Sequence, residues 1–283
     1  MSSFEHLADM VSAGDAQLIG VYGIPRSIST ALGRSLNECQ EPSIYVNEPF
    51  NRHNRSLNVA ALSILGAIEE VKPDGPITVI TKNMAAYIDD SVFRDIESIS
   101  KANVWTIRDP EVQMTSLMTR IANDLSVETG ADLITQDELE PYLDAVAAFL
   151  ADSALSADFS RTGWAALQRL YSKQGDSIPS TVIDGTTLTT NPEATLRRLC
   201  DIIGVGFSSR MVNSWGDEYT NINVGSSRFT TEDNAWTKDV ARADGFHQSH
   251  RSPLPLGLLP ESVRSHILNV AMPVYDKMRL TAL

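Results

Sequence analysis

Residues 18–35 read Leu-Ile-Gly-Val-Tyr-Gly-Ile-Pro-Arg-Ser-Ile-Ser-Thr-Ala-Leu-Gly-Arg-Ser, and the fold follows from how that stretch changes character. Residues 18–22 form a short apolar run, partly β-branched, of the kind that builds a buried strand. Gly23, Ile24 and Pro25 break it. Residues 26–30, Arg-Ser-Ile-Ser-Thr, make a hydroxyl-rich loop, and residues 31–36 read as the first turns of a helix. Strand, tight loop and helix N-terminus together form a phosphate-binding geometry, because free backbone N–H groups and the positive end of the helix dipole face the anion. The serine and threonine hydroxyls add donors, and Arg26 adds a fixed charge. No lysine stands at the loop-to-helix junction, so this is not the G-x-x-x-x-G-K-[ST] loop of Walker A proteins. The plainer alternative is an ordinary strand–turn–helix with Ser29 or Thr30 as its N-cap.

Working outward, the chain on either side continues the alternation. Short apolar strands are expected at 43–46, 77–81, 103–107 and 181–184, and helices at 3–13, 29–38, 57–70, 91–100, 110–124, from Asn191-Pro192-Glu193 to Ile203, and 260–280. Residues 125–175 are mostly helical and acidic, with apolar positions every three or four residues, and 205–258 reads as ordered loop over the active face. Strands that alternate with helices imply an α/β fold with a parallel sheet covered on both faces. Ligands in such folds bind beyond the carboxyl ends of the strands. Arg26, Glu48, Lys82, Arg108 and Asp184 all fall at expected strand ends.

The length of 283 residues suits a single domain over 1–283: a core at 18–124 and 180–204, acceptor-side helices at 125–175 and late loops at 205–258. A net charge of −13 argues against nucleic acid or an anionic membrane as the main partner, since both require a basic face. An anionic ligand then needs a locally basic pocket. Cys39 and Cys200, both in helical apolar patterns, read as buried free thiols. The N-terminus lacks a basic start and a long apolar core, and no run reaches membrane-span length, so a cytoplasmic protein is expected.

A second constellation is Val104-Trp105-Thr106-Ile107-Arg108-Asp109-Pro110, followed by a helix carrying Thr115 and Ser116. An arginine leaving a strand and a serine two turns into the next helix can converge on one phosphate. The alternative is an Arg108 paired with Asp109 or another acid. Pro25-Arg26-Ser27-Ile28-Ser29-Thr30 resembles the 5′-phosphosulfate loop of sulfotransferases, and the Arg108 motif resembles the segment with which they grip the cofactor's 3′-phosphate. Further stretches are similar to bacterial sulfotransferases related to proteins labelled branched-chain aminotransferase-like. They are Asn47-Glu48-Pro49-Phe50, Thr81-Lys82-Asn83-Met84-Ala85-Ala86-Tyr87, and residues 191–200, Asn-Pro-Glu-Ala-Thr-Leu-Arg-Arg-Leu-Cys. Asn213-Ser214-Trp215-Gly216 and the stretch from Trp236 to Phe246 also resemble that family, and the similarity covers about residues 18–250. The loop often has glycine where Ile28 stands, and the family pattern shows histidine where this chain has Ala86.

The resemblance implies a P-loop NTPase-like sulfotransferase fold with a helical acceptor-site elaboration. It implies 3′-phosphoadenosine 5′-phosphosulfate (PAPS) as cofactor, adenosine 3′,5′-bisphosphate (PAP) as product, and a small-molecule hydroxyl or amine as acceptor. Arg26, Ser27, Ile28, Ser29, Thr30, Arg108, Ser116 and Arg228 are the implied cofactor contacts. Arg26 and Lys82 join Glu48, the candidate base, as catalytic residues. Each has a plainer reading: Glu48 as an N-cap or a salt bridge to Arg26, and Lys82 as a snorkelling surface lysine. Asp184 and Trp215 read as supports for the sheet and pocket. His247 and His250 lack a third ligand, so no metal is expected. A homodimer is compatible with the sequence. The rival functions are an ATP-dependent small-molecule kinase on a P-loop fold, which the missing Walker lysine disfavours, and a catalytically inactive nucleotide-binding protein.

Overall fold

The computed structural model describes residues 1–50, 56–128, 139–151, 162–215, 222–223, 243–246 and 252–283. Helix α1 (Ser3–Ala13) leads into strand β1 (Ala16–Gly23) and helix α2 (Ser29–Leu36). Strand β2 (Ser43–Asn47), helix α3 (Leu57–Val71) and strand β3 (Ile77–Met84) follow, then a 3₁₀ turn at Ala85–Tyr87 and helix α4 (Asp90–Ile99). Strand β4 (Ser100–Ile107) runs into the long helix α5 (Pro110–Glu128), which has proline at its first position, where a missing N–H does no harm. Helices α6 (Leu143–Ala151) and α7 (Trp164–Tyr171) precede strand β5 (Ser180–Asp184), helix α8 (Gly185–Thr190), helix α9 (Pro192–Ile203), helix α10 (Arg210–Asn213) and the two-residue strand β6 (Ile222–Asn223).

The strands form one sheet in the order β5-β4-β1-β3-β2-β6, and every pairing is parallel. The α/β parallel-sheet expectation therefore holds, with β1 at the centre as a buried apolar run should be. One face buries Leu18, Tyr22, Val46, Val79 and Trp105 beneath α1, α3, α4 and the C-terminal helix. The other buries Ile19, Val21, Tyr45, Ile80, Val104 and Ile183 against α2 and α9. A third apolar cluster joins Met114, Leu117, Met118 and Ile121 of α5 to Val146 and Leu150 of α6 and to Val263 and Ile267. These residues form a helical annex beside the sheet.

Several boundaries differ from expectation. Strands β3 and β4 each extend beyond their apolar runs, so that Lys82 and Asn83 lie within β3. Strand pairing on both sides recruits those polar residues, whatever their own propensity. Helix α8 arises because Asp184 accepts from the backbone N–H groups of Thr186 and Thr187, capping a run of threonines that carries no helical signal of its own. The last helix is not continuous: Glu261–His266 and Met272–Arg279 are joined by a π-helical turn at Ile267–Ala271, just before Pro273. Cys200 is buried, but Cys39 is only half-buried, because α2 ends at Leu36 and leaves Cys39 in the turn that follows.

Candidate functional site

The register places the candidate residues on one rim. Gly23 at the end of β1 is level with Met84 of β3 and Thr106 of β4, while Ile107 is level with Asp184 of β5 and Asn47 of β2 with Lys82. The loops that leave these strands at their carboxyl ends carry Arg26, Glu48 and Arg108, with Lys82 two residues inside the edge.

The loop between β1 and α2 is held in an unusual shape. Arg26 (φ 65°) and Ile28 (φ 72°) both occupy the left-handed region, with Ser27 between them. For Ile28 that conformation is costly, because a β-branched side chain crowds the following carbonyl. The glycine common at this position in the resembling loops fits the same backbone without strain. Alternating conformations of this kind turn successive N–H groups toward one side, forming a concavity that suits anions. Ile28 is also the N-cap of α2 and gives no side-chain cap. Among the described residues, the first-turn amides of Ser29, Thr30 and Ala31 have no hydrogen-bond partner, nor do the hydroxyls of Ser29 and Thr30. These are the donors that a helix N-terminus offers to a phosphate or sulfate.

Ser27, one of the expected cofactor contacts, faces inward in the ligand-free loop. It is fully buried, its amide and hydroxyl both donate to the Ile24 carbonyl (3.2 and 2.8 Å), and its Oγ lies 2.8 Å from Thr106 Oγ1. Gly23 makes this possible, since a Cβ there would stand 2.3 Å from Thr106 Oγ1 and 2.8 Å from Ser27 Oγ. Thr106, which reads in sequence as one more strand residue, is thus a fastening for the loop.

The two arginine motifs meet. Arg26 Nε donates to Ser116 Oγ at 3.0 Å, and Arg108 donates from a guanidinium nitrogen to the Arg26 carbonyl at 3.3 Å. Arg108, Ser116 and Arg26 are therefore brought together, with Arg26 at the junction. Arg108 is half-buried, and burial pushes its guanidinium pKa down, while the charges of Asp109 and Asp184 oppose that shift. Neither acid lies within ion-pair distance of it. Asp109 caps α5 through the amides of Glu111 and Val112, and Asp184 caps α8 and accepts from Tyr275 Oη at 2.8 Å. The alternative of an Arg108 neutralised by a neighbouring carboxylate is thereby set aside among the described residues. A partly desolvated guanidinium with no close carboxylate suits an anionic ligand.

On the other side of β1, Lys82 is 3% exposed and is not the snorkelling surface lysine of the plainer reading. Its ammonium donates to Glu48 and lies 3.2 Å from Met84 Sδ. Glu48 has its own left-handed backbone (φ 52°), with its amide donating to the Lys82 carbonyl at 2.7 Å, and a side chain about a third exposed (32%). Glu48 thus pairs with the lysine of the neighbouring strand, where the sequence suggested Arg26. Ala86 sits in the 3₁₀ turn at Ala85–Tyr87. Trp215 is buried, donates to the Met211 carbonyl at 2.8 Å and lies beneath the Arg34 guanidinium, which fits the supporting role expected of it. Arg228, His247 and His250 lie outside the described residues. Among the described residues, no group of three or more His, Cys, Asp or Glu could hold a metal ion, and no helix is long and apolar enough to cross a membrane.

Residues 145–282 match a family model described as "Sulfotransferase domain", just under half of the chain. Over those residues the chain is similar to that family's domain. The matched residues include α7, β5, α9 and the C-terminal helices, and with them the Asn191-Pro192-Glu193 start, but neither Arg26 nor Arg108. No curated protein matches the chain. Among solved structures, the chain is similar to the Sulfotransferase Domain from the Curacin Biosynthetic Pathway at 13% identity and a TM-score of 0.45, covering 89% of this chain and 96% of that one. It is similar to a sulfotransferase from Alicyclobacillus acidocaldarius at 12% identity and a TM-score of 0.42, covering 66% and 81% of the two chains. A mouse sulfotransferase, SULT7A1, complexed with PAP, is similar at 12% identity and a TM-score of 0.41, covering 74% of this chain and 66% of that one.

Proposed function

We propose that this protein is a PAPS-dependent sulfotransferase that passes a sulfuryl group to a hydroxyl or amine of a small-molecule acceptor. The observation that carries the reading is the meeting of Arg26, Arg108 and Ser116 beside the unpartnered first-turn amides of α2. A site that gathers this many donors at the rim of an otherwise acidic chain is built for a ligand with two anionic ends. Bound there, PAPS supplies the sulfuryl group, and its two phosphate positions fall to two sets of donors.

The α2 amides, Ser29, Thr30 and the Arg26 guanidinium hold the 5′ end and stabilise charge that builds on the leaving oxygen. Ile28 contributes through its backbone, and Ser27 by fixing the loop. Arg108 and Ser116 hold the 3′-phosphate, with Arg228 as a further candidate contact. Sulfuryl transfer resembles phosphoryl transfer in relying on positioning and charge stabilisation. Glu48, reachable from outside, accepts the acceptor's proton, and Lys82 holds its carboxylate at the rim. The acceptor lies toward residues 50–60, the helical annex and the late loops.

Calorimetric titration of adenosine 3′,5′-bisphosphate and of ATP at matched salt tests the reading, with Arg108→Ala alongside. Tight bisphosphate binding, weak ATP binding and a loss of more than ~1.5 kcal/mol in the variant, the scale of a charged hydrogen bond, are expected. Preference for ATP with magnesium, or no nucleotide binding, refutes it. Turnover with an acceptor panel then separates an enzyme from an inactive binder.

A further inference from the structure

We propose that Gln113 is a positioning residue for the anion loop, and that through it the seating of α7 sets the loop's shape. The proposal rests on the reading above in one respect, that this loop holds the 5′ end of the donor. Gln113 lies in the first turn of α5 and is fully buried. Its Nε2 donates to the Pro25 carbonyl at 2.8 Å, and its Oε1 accepts from Trp164 Nε1 at 3.3 Å. The amide can face only one way. An indole nitrogen only donates and a peptide carbonyl only accepts, so each end of the side chain has a single compatible neighbour.

The Pro25 carbonyl shares a planar peptide unit with the Arg26 N–H, so fixing the oxygen also fixes the direction of that N–H. Gln113 therefore acts at the entry to the two left-handed residues, where the backbone most needs to be held. A second contact comes from the same side. Gly163, just before α7, has φ 80°, and a Cβ there would stand 3.0 Å from Ile24 Cγ2 and 3.4 Å from Pro25 Cδ. The backbone at Gly163 thus packs directly on the loop. Helix α7 is seated in turn by Trp164, fully buried and edge-on to Tyr275, and by Arg169, which pairs with Asp90 and donates to the Ile88 carbonyl at 3.0 Å. A displacement of α7 is transmitted to the loop through the Trp164–Gln113–Pro25 chain and the Gly163 contact. Donor-loop geometry and the seating of α7 are in this way one mechanical unit.

Gln113→Met keeps the length of the side chain and removes both hydrogen bonds. In the ligand-free protein, hydrogen exchange followed by mass spectrometry is expected to rise about tenfold over residues 23–32 at the hydrogen-bonded amides, Ser27 and Leu32 among them, the scale of one lost hydrogen bond, and to stay unchanged in β3 and β5. A merely structural role moves the strands as well. Exchange within twofold of wild type over 23–32, or an equal rise throughout, overturns the proposal. Trp164→Phe removes the indole donor together with part of the ring's volume but leaves the Gln113–Pro25 bond, and is the second variant should Gln113→Met fail to fold: a smaller rise confined to the loop supports the proposal, and none overturns it. Adenosine 3′,5′-bisphosphate affinity, measured in the same variants, is expected to fall in step with loop exchange. A local rise in exchange alongside a wild type that does not bind the bisphosphate sinks the functional reading and leaves the positioning role standing.

Discussion

Lys82 and Glu48 are an ion pair with unequal shelter, and the inequality can be measured. The lysine is 3% exposed and its other close polar neighbour is a thioether, 3.2 Å away, whereas the glutamate side chain is 32% exposed. In Glu48→Ala the ammonium keeps its burial and loses its counter-charge. Breaking a buried pair this way costs about 3–5 kcal/mol, and partial access of water on the glutamate side reduces that to about 2–3 kcal/mol here. In Lys82→Met the volume is kept and the carboxylate left behind is already about a third exposed (32%), so it keeps its hydration and the cost stays below about 1.5 kcal/mol. The double variant, with no charge left to strand, is expected to recover at least ~1 kcal/mol relative to the sum of the single losses. Urea denaturation of the four proteins at pH 7 gives all these quantities from one series. Equal losses in the two single variants, or additivity within about 0.5 kcal/mol, refute the reasoning.

Ile28→Gly relieves about 1–2 kcal/mol of left-handed strain, offset by glycine's greater freedom when unfolded and by lost contact with the backbone at Gly185; denaturant stability within ~1 kcal/mol of wild type is expected, and a loss above about 2 kcal/mol counts against strain at this position. Gly163→Ala is expected to destabilise by about 1–2 kcal/mol, since alanine must adopt φ 80° and press on Ile24; an unchanged thermal midpoint counts against that contact. Burial pushes the His266 pKa down to about 4, beside Thr162 Oγ1 at 2.9 Å. The unfolded imidazole takes its proton near pH 6.5 and the folded one only near 4, so this contribution is complete above about pH 6.5 and is lost as pH falls toward 4, to the extent of about 3 kcal/mol. Comparing wild type with His266→Gln at pH 7, 5.5 and 4 isolates it, and parallel pH profiles for the two proteins exclude it.

The alternation of strands and helices was legible because each strand is a short apolar run closed by Gly, Pro or a charged residue, and burial on both faces of a parallel sheet demands that pattern. Arg26, Arg108 and Ser116 were legible for a related reason: a charge or hydroxyl placed just past a strand, or two turns into the following helix, has little to do in a core. What escaped depends on contacts between distant segments. Nothing local ties Glu48 to Lys82. Their pairing needs β2 beside β3 in a register that sets Asn47 level with Lys82, across an intervening helix. Ser27 looks like a ligand-facing hydroxyl until Thr106 is found behind it. Gln113 gives no sequence signal, because a glutamine near a helix start is ordinary, and only the fold shows that it sits between Pro25 and Trp164. The π-helical turn was likewise hidden, since the apolar spacing through 260–280 reads as one helix.

The strand order has a metric consequence. From β4 through β1 and β3 to β2, the rim carries Arg108, then the Arg26 loop, then Lys82, then Glu48. Neighbouring parallel strands lie about 4.8 Å apart, so this row is graduated like a ruler whose divisions are set by backbone hydrogen bonds. Substitutions in the loops can change which group stands at a mark, but not the spacing of the marks or their sequence. A molecule lying across the rim therefore meets cations at one end and a carboxylate at the other, and redesign for a longer or shorter ligand has to proceed in whole strand widths.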